Sequence, residues 1–149
     1  MANSIKDRLA QAIKDAMRAK DKPRLAALRL ASAEFKRIEV DERIEIEDAR
    51  AVAILDKMVK QRRDSINQYQ QAGRQELAEQ EAFEIEIIQE FLPEQLTNAE
   101  LDQLIAEAIA TTGAMSMQDM GKVMGILKSK VQGRADMGEV SKLIKSKLS

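Results

Sequence analysis

Residues Asp119–Val140 read DMGKVMGILKSKVQGRADMGEV, and their spacing decides how the chain folds. Met120, Val123, Met124, Leu127 and Val131 recur three and four positions apart, which is one face of a helix. Gly133 stops that helix, and Asp136, with Glu139 three positions on, starts the next in a capping-box pattern. Val140, Leu143, Ile144 and Leu148 then form a second inward stripe, while Lys142 and Lys145 fall outward. The same stretch holds four of the six glycines in the chain. A glycine within a helix costs about 1 kcal/mol relative to alanine, so Gly121 and Gly125 need a reason that Gly133 and Gly138, at a stop and in a first turn, do not.

Working backwards, two further capping patterns precede this stretch, Thr97 with Glu100 and Ser116 with Asp119, so three short helices are expected after Pro93. Before Pro93 the pattern is again helical. A first helix is expected over about Ser4 to Lys20 and a second from the helix-start Pro23 to about Val40. The alternating RIEVDERIEI has no strand to pair with and is expected as a loop. A long third helix follows from about Asp48 to Ala72, ended by Gly73, and a fourth from about Gln75 to Leu92, stopped by Pro93. The expected fold is all-α: an N-terminal helical bundle of about four helices over residues 1–93 and a three-helix C-terminal domain over 94–149.

The 149 residues include no cysteine and no histidine. Disulfides, thiolate or zinc sites and nucleophiles that depend on histidine are thereby excluded, and no catalytic residue, cofactor or metal is expected. No apolar run resembles a secretory signal or approaches a membrane span, so a cytoplasmic protein without membrane contact is expected. The net charge of -1 conceals a strong pattern. Met1–Arg37 carries ten basic and four acidic residues, Glu76–Glu107 ten acidic and no basic, and Gly121–Ser149 seven basic and two acidic.

Two sets of polar residues stand out on the helical projections. On the third helix Arg62 falls within the apolar face of Val52, Leu55, Met58, Val59, Ile66 and Tyr69. On the fourth, Glu81 and Glu84 fall among Leu77, Ile85, Ile88, Phe91 and Leu92. Charges facing a core must be paired, so a structural ion network of Arg62 with Glu81 or Glu84 is expected. A metal-binding or catalytic carboxylate pair and a polar ligand pocket are the alternatives, the first weakened by the lack of histidine.

On the sixth helix Gly121 and Gly125 lie about 100° from the centre of the apolar face, beside Lys128. Close packing of another helix on Gly-x-x-x-Gly is one explanation. A phosphate-binding loop fits poorly, because Val123 follows the Gly-Lys pair where serine or threonine is required and no strand precedes it. The third explanation is a surface for a nucleic-acid backbone. Lys122, Lys128, Lys130 and Arg134 would contact phosphates, with Lys142 and Lys145 from the last helix, and the glycines would allow close approach. No aromatic residue follows Phe91, so base stacking there is excluded and backbone and shape would be read instead.

LPEQL, KQRRDS, AGRQELAEQEAFE and DMGKVMGILKSKVQGRADMGEVSKLIKSKL together make the chain resemble the GatB/YqeY family, in particular its free-standing YqeY-like members. The resemblance implies a helical N-terminal bundle and a C-terminal module similar to the tail of the B subunit of glutamine-dependent tRNA amidotransferases. It implies tRNA or other structured RNA as a partner, and an amidotransferase or translation protein as a further one. It also associates the chain with a carbon-nitrogen ligase activity that uses glutamine as amido donor, although nothing here matches the catalytic parts of those enzymes.

Overall fold

A computed structural model describes residues 4–148. In order they form α1 (Ile5–Ala19), α2 (Lys22–Glu42), α3 (Asp48–Gln71), α4 (Gln75–Gln89), α5 (Asn98–Thr112), one 3-10 turn (Met117–Asp119), α6 (Met120–Val131) and α7 (Met137–Leu148). The fold is all-α, with no strand among the described residues. The chain divides into two compact units, Met1–Leu92 and Pro93–Ser149.

In the first unit α1 begins where Ser4 accepts a hydrogen bond from the Asp7 amide, and α2 where Asp21 accepts one from the Arg24 amide, with Pro23 in its first turn. Lys20, between them, adopts the left-handed conformation at φ 58°. The expected end of α2 near Val40 is corrected: the helix continues through Glu42 and ends at left-handed Arg43, which confines the expected loop to residues 44–47. Helical continuation wins because Ile38 extends the buried stripe of Ala27, Leu28, Ala31 and Phe35. Glu39 then holds the turn, accepting from Lys6 Nζ at 2.7 Å and from the Ile46 amide at 3.0 Å, which seats Ile46 in the core.

Helix α3 ends before Gly73, whose φ of 71° is the left-handed stop. Its main partner is α4, which finishes at Gln89, three residues before the expected end. Glu90, Phe91 and Leu92 instead close a tighter turn of i→i+3 bonds ahead of Pro93. Arg24 grips the Glu90 carboxylate at 2.6 and 3.0 Å, and Arg8 donates to the Glu90 carbonyl at 2.9 Å while lying over the Phe91 ring.

The second unit packs α5, α6 and α7 around Leu101, Ile105, Ala108, Val123, Leu127, Val131, Val140, Ile144 and Leu148. Thr97 and Glu100 form a complete capping box. Ser116 does not form the expected one: its side chain caps nothing, and Asp119 reaches back to the Met115 amide at 3.0 Å. The residues after it form the 3-10 turn, so α6 proper starts only at Met120. Gly133, at φ 77°, turns the chain after α6. That turn is clasped to the segment before α5, since Gln95 donates to the Gly133 carbonyl at 2.7 Å and the Leu96 amide to the Arg134 carbonyl at 2.8 Å. Asp136 accepts from the Gly138 amide at 3.0 Å and so caps α7.

Candidate functional site

The late start of α6 changes the status of its glycines. Gly121 sits in the first turn, where backbone amides have no intrahelical acceptor anyway, and Gly125 sits in the interior. Both are exposed, and a Cβ built on either meets nothing within 4 Å. Close packing of another helix of this chain therefore does not account for them. They leave open, side-chain-free backbone facing outward.

Lys122, Lys128 and Lys130 on α6, and Lys142 and Lys145 on α7, are all exposed. None has an ion-pair partner among the described residues, and the eight ion pairs described all lie in the N-terminal unit. The positions are not equivalent, however. Lys128 lies on the glycine strip, seven residues from Gly121 and three from Gly125, and Lys122 flanks it. Lys130 lies about half a turn round the helix from Gly121, so one ligand face cannot include both. Arg134 is half-buried and donates from Nε to the Glu94 carbonyl at 3.1 Å, so part of its donor set serves the α6–α7 turn. Beside it lies a shallow cavity of about 260 Å³ lined by Leu96, Glu100, Gln103, Leu104, Glu107 and Arg134. Its acidic wall is of the wrong charge for phosphate.

One exposed group escaped the sequence reading. Met115, in the loop before the 3-10 turn, is 89% exposed, and Met117 is 41% exposed. The signal was the AMSM tetrapeptide itself, whose methionines fall between two helical stripes and belong to neither.

In the N-terminal unit Arg62 Nε lies 3.8 Å from Glu81 Oε2 and 3.6 Å from Glu84 Oε2. Neither contact is a hydrogen bond, and the buried Nε has no hydrogen-bond partner, although a terminal nitrogen of Arg62 donates to the Met58 carbonyl at 3.3 Å. Burial pushes the Glu84 carboxyl above the ordinary carboxylate range; Arg62 opposes that shift and Glu81 adds to it. This ion triad under partial burial links α4 to α3. No group of three or more His, Cys, Asp or Glu among the described residues could hold a metal ion, and no described helix is long and apolar enough to cross a membrane.

Comparison with known proteins adds a family. A protein from Pyrenophora tritici-repentis, named altered inheritance of mitochondria protein 41, mitochondrial, is 30% identical over 135 residues, covering 89% of this chain and 74% of its own length. The protein of the same name from Eremothecium gossypii is 36% identical over 103 residues, 68% of this chain. The chain spans only 56% of that second relative. The YqeY-like protein family matches residues 6–148, which takes in both helical units and both sets of charged residues. The chain therefore belongs to the YqeY-like family.

Proposed function

We propose that this protein is a non-catalytic RNA-binding protein whose C-terminal unit contacts the backbone of a structured RNA, with tRNA as the first candidate. The observation that carries the proposal is a set of exposed lysines without ion-pair partners, Lys122 and Lys128 along the glycine strip of α6 and Lys142 and Lys145 on α7, together with glycines that have nothing within 4 Å of an added Cβ. Lysines that neutralise phosphates release condensed counterions, and bare backbone lets a second backbone approach. The resemblance of this unit to the tail of the tRNA amidotransferase B subunit supports tRNA in particular, as an analogy between domains. A cytoplasmic location belongs to the same proposal, and because both relatives are named as mitochondrial, cell fractionation is its direct test.

The test of RNA contact is filter retention of total tRNA across a salt series. Wild type should show a steep fall of affinity with salt, and Lys128→Glu/Lys142→Glu should abolish retention while its circular dichroism stays unchanged. Equal retention by both proteins refutes the proposal. A second function, as an adaptor for an amidotransferase or translation protein, is favoured by Met115, because an exposed flexible thioether suits an adaptable protein contact. A complex that survives nuclease and disappears in Met115→Ser supports it. A chain that consumes glutamine or ATP on misacylated tRNA would instead restore the ligase association.

A further inference from the structure

The outward face of α2 carries a pattern unrelated to the C-terminal lysines. Lys22, Arg29 and Lys36 recur every seven residues, so they form one line along the helix with about 10.5 Å between neighbours. Ala26 and Ala33 lie between them, and all five residues are exposed. No acid shares the strip: Glu34 and Asp41, on its flank, are held by Arg37, and Asp21, next to Lys22, caps the helix by accepting from the Arg24 amide. Glu39, three residues after Lys36, is already committed to Lys6 and the Ile46 amide. Lys22 and Lys36 have no ion-pair partner among the described residues, and Arg29 has only a 3.7 Å contact to the Met17 sulfur.

We infer that this strip of α2 is a second contact for the RNA backbone, built into the N-terminal unit. Three aligned cations about 21 Å from end to end, separated by methyl groups and free of acids, are complementary to a line of phosphates. A protein partner would want a large apolar or aromatic anchor at the centre of the patch. Here alanines separate the cations, and the larger exposed apolar groups are a single methionine, Met17, beside Arg29, with Leu30 at the edge of the strip and Val40 at its end; none is aromatic. The inference takes its ligand class from the RNA-binding proposal above and its support from different residues.

The experiment uses the full chain and total tRNA. In Lys22→Gln/Arg29→Gln/Lys36→Gln the slope of log affinity against log salt should become shallower by about 2 to 3, because each phosphate left without its cation takes about 0.9 from the slope. Affinity at physiological salt should drop at least about tenfold. Ala26→Glu/Ala33→Glu, which removes no cation, should weaken binding in the same direction. Thermal melts of both variants should match wild type, because no ion pair is broken. If Lys128→Glu/Lys142→Glu abolishes binding while both α2 variants bind as wild type, the α2 strip is refuted and the C-terminal proposal stands. Weakened binding in the α2 variants alone supports the strip and refutes the C-terminal proposal. Wild type that retains no tRNA refutes both.

Discussion

Replacing Gly121 and Gly125 by alanine separates a structural role from a binding role at the same atoms. Both residues have ordinary helical backbone, since the positive-φ glycines are Gly73, Gly113 and Gly133. An added Cβ meets nothing within 4 Å at either position, so no clash opposes the gain in helix propensity. At Gly125, inside α6, that gain is about 1 kcal/mol; at Gly121, in the first turn, about 0.5 kcal/mol. The double variant should therefore be more stable by about 1.5 kcal/mol. If the C-terminal unit melts by itself the midpoint rises by about 6–12 °C, and if the whole chain unfolds in one transition by about 3–6 °C.

Calorimetry and tRNA retention on the same samples give the decisive pair of numbers. The proposal expects higher stability together with weaker binding, because two methyl groups would hold an RNA backbone off the strip. A lower melting temperature would show that the open space over the glycines is wrong. A higher melting temperature with unchanged affinity would show that the glycines serve no ligand, and the interface would then reduce to its lysines.

Three further outcomes follow from the N-terminal unit. Arg62→Leu should destabilise the protein by about 3 kcal/mol in urea unfolding, because it strands the buried Glu84 charge beside Glu81; an effect below about 0.5 kcal/mol would show the triad to be solvent-screened. Glu84 has a raised pKa in the folded state, so the folded protein holds its proton longer than the unfolded chain, and the stability this contributes in acid is lost as pH rises from the ordinary carboxylate range through the raised value. Glu84→Gln should remove that fall, seen as the difference between wild-type and variant stability as pH rises from the ordinary carboxylate range, whereas a fall of equal size in both would assign it to another group. Lys20→Gly should raise stability by about 0.5–1 kcal/mol, because relief of a left-handed residue at φ 58° outweighs the unfolded-state entropy that glycine adds, and a melt showing a loss would refute this.

The helical architecture was legible because caps and stripes agree over most of the chain. Thr97 with Glu100, Gly73, Pro23 and Gly133 each act on local backbone, and local backbone is what short sequence spacing encodes. Within RIEVDERIEI the inward position of Ile38 was legible but the end of the helix was not, because period-two alternation over so few residues marks no stop, and the contacts of Glu39 with Lys6 and the Ile46 amide fix where the turn begins. Ser116 misled in another way. It has the spacing of a capping box, yet Asp119 found the Met115 amide instead, which moved the start of α6 and placed Gly121 in its first turn. Arg62 with Glu81 and Glu84 was legible from projection alone because charges on apolar faces must meet opposite charges.

Pairing state, which composition cannot report, is what separates the two units electrostatically. Residues 93–149 contain seven acids and seven bases, so the unit is neutral, and random placement would produce ion pairs. None is described there. Two causes are visible. Glu100, Asp119 and Asp136 spend their carboxylates on backbone amides, where they start helices or hold turns. Lys128, Lys130 and Lys145 have no acid three or four positions away, so their own helices offer no partner. Of the remaining acids, Glu94, Asp102 and Glu107 lie in or just before α5, and Glu139 is the one placed on a helix with the exposed lysines of α7. Lys128, Lys130 and Lys145 lie in the last turns of α6 and α7, where the helix dipole favours a cation, so they serve their helices without an acidic partner and leave their ammonium groups open to an external anion.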